Sequence, residues 1–146
     1  MSPQRILYVE DNAHLRWMVT EILKFELYDV YSAADGVKGF DLALQINPHF
    51  ILMDVHLPSM SGMEITARLR ALPDFCSVPI IALTAGSEVD ADCNKYLAAG
   101  FNGCLFKPFA APQLVDTVRH YIGLAAKEVS PVMPVLIQPQ AETKLL

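Results

Sequence analysis

Five polar residues stand at the ends of short apolar runs: Glu10 and Asp11 after residues 5–9, Asp54 after 50–53, Thr84 after 79–83 and Lys107 after 103–106. One aspartate in such a place is ordinarily a solvated loop residue, whereas five polar residues in matching places form a pattern. If the runs are neighbouring strands, three carboxylates converge, repel one another and rise in pKa unless something neutralises them. A hard divalent cation does so, and oxygen donors that leave positions for water suit Mg2+, or Mn2+, far better than zinc. The Thr84 hydroxyl and the Lys107 ammonium are donors for the oxygens of a transferring phosphoryl group. Metal, donors and one carboxylate nucleophile make a phosphoryl acceptor. Asp54 is the candidate nucleophile, because it ends the run expected at the centre of the sheet. Glu10 and Asp11 lie side by side at a turn, where both can ligate metal.

Those side chains meet only if the elements bring them together. The apolar runs, with a weaker one at 29–33, are continuous rather than alternating, as in strands covered on both faces of a parallel sheet. Between them the periodicity is helical. Over 13–27 the apolar residues Leu15, Met18, Val19, Ile22 and Leu23 recur at steps of three and four, while Arg16, Glu21 and Lys24 fall elsewhere. Further helices are expected over 36–46, 63–72, 88–99 and 112–123. Their boundary signals are Pro48, Pro73, a capping pattern of Ser87 with Asp90, Gly100 at a C′ position and Pro112 at N1. Strand and helix alternate five times, and right-handed crossovers then give an α/β doubly wound five-stranded parallel sheet with helices on both faces. The ligand site of such a sheet lies beyond the carboxyl ends of its strands.

At 146 residues, 53% hydrophobic and 18% charged, the chain is too apolar for disorder and is sized for one core. Its longest uncharged stretches, 75–87 and 129–141, are shorter than the ~18 residues a membrane span needs, and both contain proline. The early Glu10 and Asp11 leave no room for a secretory signal, so a cytoplasmic location is expected. A net charge of −5, from 11 basic and 16 acidic residues, disfavours direct binding to nucleic acid. Cys76, Cys93 and Cys104 are an odd count with no close pair, so buried or idle thiols are expected. His14, His49 and His120 have no metal-ligand spacing and read as surface residues, and Trp17 reads as packing. Residues 124–146, punctuated by Pro131, Pro134 and Pro139, form a tail whose expected state is a frayed end, with docking on a neighbour as the alternative.

The sequence resembles the receiver domain of bacterial two-component response regulators over residues 4–123. The matching stretches are ILYVED at 6–11, ILMDVHLPSMSG at 51–62, PIIALTA at 79–85 and LFKP at 105–108. No one of these is decisive; all four in this order are highly specific. The resemblance implies strand order 2-1-3-4-5. It also implies that Asp54 accepts a phosphoryl group from a phosphohistidine on a sensor histidine kinase or a histidine phosphotransfer protein. Mg2+ would be held by Glu10, Asp11, Asp54 and the backbone carbonyl of His56, with Thr84 and Lys107 on the phosphoryl oxygens. Pro58 and Gly62 would shape the loop after the third strand, and the Lys107–Pro108 bond would be cis. By the same resemblance the chain catalyses only its own phosphorylation and dephosphorylation, and acts on a downstream protein target.

In the family, the switching surface comprises the fourth helix, fifth strand and fifth helix, here about 88–123. Its usual coupling residue is a Tyr or Phe three places before the lysine. This chain has Cys104 there, expected to be a packed thiol, and Phe106, on the same side of the strand, reads as ordinary core, with a role as the substitute moving aromatic as the alternative. His56 and Gly86 would flank the site, with His56 exposed above it and modulating the phosphoryl lifetime, a solvated loop histidine being the alternative. Pairing of two copies through the fourth to fifth helix face is compatible with the family.

Other readings fit less well. A haloacid-dehalogenase-type phosphatase needs an aspartate where His56 stands. A flavodoxin-like binder needs a hydroxyl- and glycine-rich loop where Glu10 and Asp11 would repel phosphate. A dinucleotide dehydrogenase needs a G-x-G-x-x-G turn that is absent. The live alternative is another role for the same module: a phosphate relay, a phosphate sink, or a piece of a larger hybrid kinase or regulator.

Overall fold

Isoleucine, leucine, valine and aromatic residues build five strands: β1 (Arg5–Val9), β2 (Asp29–Ala33), β3 (Phe50–Asp54), β4 (Ile80–Ala85) and β5 (Gly103–Lys107). The computed structural model describes residues 2–85 and 93–127. All strands pair in parallel, in the order β2-β1-β3-β4-β5. Between them run α1 (Ala13–Phe25), α2 (Gly36–Ile46), α3 (Gly62–Arg70), a 3-10 turn (Pro73–Phe75), α4 (Asn94–Ala98) and, last, α5 (Ala111–Lys127). The chain leaves β1 for β2, then crosses back to β3 on the other side. That reversal opens a crevice at the carboxyl ends of β1 and β3, where such sheets bind ligands.

Alternation along each strand sorts the side chains into two cores. Leu7, Val9, Ile51, Met53, Ile80, Ala82 and Cys104 face one side, against Ala43, Ile65, Leu69 and Tyr96 of α2, α3 and α4. On the other side Ile6, Tyr8, Phe50, Leu52, Ile81, Leu83 and Leu105 meet Val19 and Leu23 of α1 with Leu114, Val118 and Tyr121 of α5. Three helices begin on side-chain caps: Asn12 accepts from the Leu15 amide at 2.9 Å, Asp35 from Lys38 at 2.9 Å and Ser61 from Glu64 at 3.2 Å. Each is worth about 1 kcal/mol.

Several boundaries differ from the sequence expectation for identifiable reasons. The first helix stops at Phe25 rather than 27, because Leu27 turns into the left-handed region at φ 71° while its amide still bonds the Lys24 carbonyl at 2.9 Å. No glycine marks that turn. Pro73 does not merely end α3; it opens the 3-10 turn, so α3 closes at Arg70. Gly100 takes φ 111°, as its expected C′ place requires. The last helix runs four residues past Gly123, through good helix formers, to Lys127. The Ser87 and Asp90 capping pattern, the first part of the helix expected over 88–99, and residues 128–146 of the tail lie outside the described residues.

Four side chains depart from expectation. Cys93 and Cys104 are not idle thiols: they are joined as a disulfide, with Cα atoms 5.9 Å apart, and Cys76 is exposed. Eleven residues separate the pair in sequence, so only the packing of α4 on β5 brings them together. Trp17 is 63% exposed and does not pack in the core. His49 is half-buried rather than on the surface, and its Nδ1 accepts the Arg5 amide at 2.9 Å. Among the described residues, no helix is long and apolar enough to cross a membrane.

Candidate functional site at the carboxyl edge of the sheet

Adjacent parallel strands end together, and this is how the site is assembled. In the β1–β3 register Val9 lies opposite Met53, so Glu10 and Asp54 leave the sheet side by side. Glu10, Asp11 and Asp54 each offer an oxygen, and all three oxygens lie within 4.8 Å of one another. Glu10 is 1% and Asp54 5% exposed, whereas Asp11 is exposed. Lys107, at the end of β5, reaches across so that its Nζ sits 3.0 Å from Glu10 Oε1 and 3.2 Å from Asp54 Oδ2. The Lys107–Pro108 bond is cis, as the resemblance implied.

The remaining carboxylate oxygens also have donors. Glu10 Oε2 accepts the Asn12 amide at 3.1 Å, and Oε1 accepts the Tyr8 hydroxyl at 3.3 Å. Asp54 Oδ1 accepts the His56 amide at 3.1 Å, and Arg16 Nη1 donates to the Glu10 carbonyl at 2.7 Å. Burial, followed by the nearby Asp54 charge, pushes the Glu10 pKa up against the pull of Lys107. Burial alone would lower the Lys107 pKa, but hydrogen bonding to Glu10 and the two carboxylate charges outweigh it and the net shift is upward. Burial and then Glu10 raise the Tyr8 hydroxyl.

Three carboxylates against one ammonium leave two uncompensated negative charges if all are ionised. One divalent cation cancels that excess, and an all-oxygen donor set is the kind Mg2+ takes. The residues therefore fit a metal centre.

The other expected site residues fall as follows. Thr84 stands at the same edge, in register with Phe106 on β5, and is 4% exposed. Its hydroxyl does not touch the carboxylates; it lies 3.1 Å from the hydroxyl of Tyr96 on α4. Phe106 is half-buried against the α2–α4 core and has no hydroxyl to meet Thr84, so the aromatic partner of the threonine is Tyr96. No spacing in the sequence pointed to that residue. The His56 side chain is exposed, as expected. The Gly62 amide donates to the Val55 carbonyl at 2.9 Å, and a Cβ there would strike the Asp54 carbonyl oxygen, so only glycine fits beside the end of β3. The Pro58 carbonyl accepts the amides of Gly36 at 3.1 Å and Met60 at 2.8 Å, fixing the loop that Pro58 was expected to shape. Gly86 lies outside the described residues.

The response regulator receiver domain family matches this chain over residues 6–119. The chain belongs to that family. It is 29% identical over 121 residues to the polar-differentiation response regulator DivK of Brucella anthropi, a match covering 83% of this chain and 98% of the relative. The receiver domain of the sensor histidine kinase PA1611 of Pseudomonas aeruginosa, solved with a magnesium ion coordinated in its active site cleft, is 35% identical. Its TM-score is 0.75, over 83% of this chain and 98% of that one. The chemotaxis protein CheY4 of Vibrio cholerae superposes with a TM-score of 0.74 at 30% identity, covering 82% of this chain and 98% of that structure. This receiver is thus a module of two-component signalling, similar to CheY and DivK proteins. Its sheet order is one that receivers share with flavodoxin, and it is the family match that sets aside the haloacid-dehalogenase, flavodoxin and dehydrogenase readings.

Proposed function

We propose that this receiver, in the cytoplasm, accepts a phosphoryl group on Asp54 from the phosphohistidine of a sensor histidine kinase or histidine phosphotransfer protein, and that the modified form engages a downstream protein target. The receiver unit is residues 4–123. The observation that carries the reading is the convergence of Glu10, Asp11, Asp54 and Lys107 at one rim, with Lys107 shared between two carboxylates at 3.0 and 3.2 Å. Glu10, Asp11, Asp54 and the His56 backbone carbonyl would hold Mg2+, with Mn2+ as a substitute; when bound, the ion supplies the positive charge that lets an anionic carboxylate approach an anionic phosphoryl group.

A carboxylate oxygen of Asp54 attacks phosphorus, an O–P bond forms and the N–P bond to the donor imidazole breaks. The His56 amide holds Asp54 in place through Oδ1. Lys107, already at the carboxylate, balances the charge arriving on the phosphoryl oxygens. The Thr84 hydroxyl, which does not reach the carboxylates, turns toward one of those oxygens to donate to it and in turning leaves Tyr96. Loss of that contact releases α4 and changes the surface formed by α4, β5 and α5. His56, exposed beside the acceptor, modulates how fast water removes the group.

Acetyl phosphate with Mg2+ tests the acceptor role. A mass gain of one phosphoryl group in the wild type, absent in Asp54→Asn and in chelator, is expected; equal gain in the variant defeats the assignment. The 35% identity to a receiver from a sensor histidine kinase favours, as a second reading, a relay role. Onward transfer from the labelled chain to a histidine phosphotransfer protein distinguishes a relay from an output regulator.

A further inference from the structure

Where α4 meets β5, the phosphoryl chemistry leaves one covalent link unused. Cys93 immediately precedes α4, and Cys104 is the second residue of β5. Their Cα atoms lie 5.9 Å apart, a span that a disulfide bridges without moving the backbone. Cys104 is 4% exposed and shares the core face of Tyr96 and Phe101, while Cys93 sits half-buried at its edge. Helix α4 has five residues, and its N-cap position makes no side-chain capping bond. It is anchored instead by Tyr96, which meets Thr84 at 3.1 Å and Phe101 edge-on at 6.0 Å between centroids, and by the Cys93–Cys104 link three residues earlier in the chain.

We propose that Cys93 and Cys104 are a reversible thiol–disulfide site: oxidised, it pins the start of α4 to β5; reduced, it frees α4 to move relative to the sheet. The oxidant is a low-molecular-weight disulfide and the reductant the corresponding thiol. The more accessible sulfur is that of Cys93, so its thiolate attacks one sulfur of the oxidant, forming a mixed disulfide and expelling one small thiolate. The Cys104 thiolate then attacks the Cys93 sulfur and expels the second. In balance, the S–S bond of the oxidant breaks and that of the protein forms. The two cysteine protons pass by way of solvent to the two small thiols, and the protein gives up the two electrons that the oxidant gains. Cys76, exposed and without a second thiol beside it among the described residues, can hold a mixed disulfide but cannot resolve it. The effect on signalling rests on the phosphoacceptor reading: with the link closed, α4 stays on β5 even when Thr84 leaves Tyr96, so the output surface is held in its unmodified form.

The full chain is equilibrated in glutathione buffers from reducing to oxidising, quenched in acid, alkylated and digested, and amide exchange over 94–98 is followed in parallel. The linked Cys93–Cys104 peptide, two hydrogens lighter than the dithiol, should appear only toward the oxidising end. Exchange over 94–98 should be several-fold slower there, and Cys93→Ser should show the faster rate in every buffer. Free alkylation of both cysteines in the most oxidising buffer, or equal exchange over 94–98 in the two wild-type states, overturns the proposal. If Cys93→Ser also loses protection in β1 and β3 it has misfolded, and the comparison within the wild type decides. Acetyl phosphate labelling in both buffers keeps the two readings apart: no label at Asp54 in either state defeats the acceptor role, while linkage and exchange still judge the redox site.

Discussion

His49 shows how one side chain acts through protonation. Burial, then the neighbouring Arg5 charge, lowers its pKa below the ordinary value, so the neutral ring accepts the Arg5 amide at the start of β1. As pH falls, the unfolded chain therefore binds a proton before the folded one. The stabilising effect is complete above the unfolded pKa of about 6.5 and declines as pH drops through that value toward the lower folded one. Thermal unfolding from about pH 7 to about pH 5 should show Tm falling with acidity in the wild type, and less steeply in His49→Gln, whose amide oxygen can still accept from Arg5. At this scale the sequence was legible where chemistry demanded a residue type: Glu10, Asp11, Asp54 and Lys107 stand together, as strand-end placement required. It was not legible where a contact depends on tertiary packing. Tyr96 meets Thr84, and Cys93 meets Cys104, across spacings that carry no periodic signal.

Among the described residues, Arg70 is a polar joint between several elements. At the end of α3 its guanidinium donates to the carbonyls of Gly100, Phe75 and Val78 at 2.9, 2.6 and 2.8 Å, and to Asn102 Oδ1 at 2.7 Å. Four segments are thereby tied to one side chain: α3, the 3-10 turn, the approach to β4 and the turn before β5. Burial lowers its pKa, but arginine remains charged. Arg70→Met keeps the aliphatic stem and strands the carbonyls, so urea unfolding should show a loss of about 2–4 kcal/mol. An unchanged midpoint would show that water replaces these bonds at no cost. Strand existence and parallel type were readable because continuous apolar runs mean burial on both faces, whereas strand order followed only from the resemblance to receiver domains. Helix ends were less readable. Leu27 turns left-handed without a glycine, and an arginine that serves as a joint looks in sequence like any surface cation.

For the whole molecule, the acidic rim concentrates negative charge at one edge of the sheet. Glu10 and Asp54, both buried, share the Lys107 ammonium with exposed Asp11 beside them, an excess of negative charge that a bound cation would offset. Binding to the folded chain alone stabilises it by RT ln(1 + [L]/Kd), about 2.7 kcal/mol at a hundredfold excess over Kd. Mg2+ should thus raise Tm in the wild type and chelator should reverse the rise. Asp11→Asn, altering an exposed residue, should unfold within about 0.5 kcal/mol of the wild type without metal, yet lose most of the Mg2+-dependent gain. Calorimetry with and without the ion checks both. A variant that retained the full gain would remove Asp11 from the ligand set.

The proposed role of the charge gathered at the strand ends is covalent modification of Asp54. Borohydride reduction of the chain after acetyl phosphate treatment converts an acyl phosphate to an alcohol, and peptide sequencing by mass then locates it. Homoserine at position 54, formed with Mg2+ and absent in chelator, is expected. Homoserine at another aspartate, or none at 54 when the chain is folded and Mg2+ is present, would contradict that role.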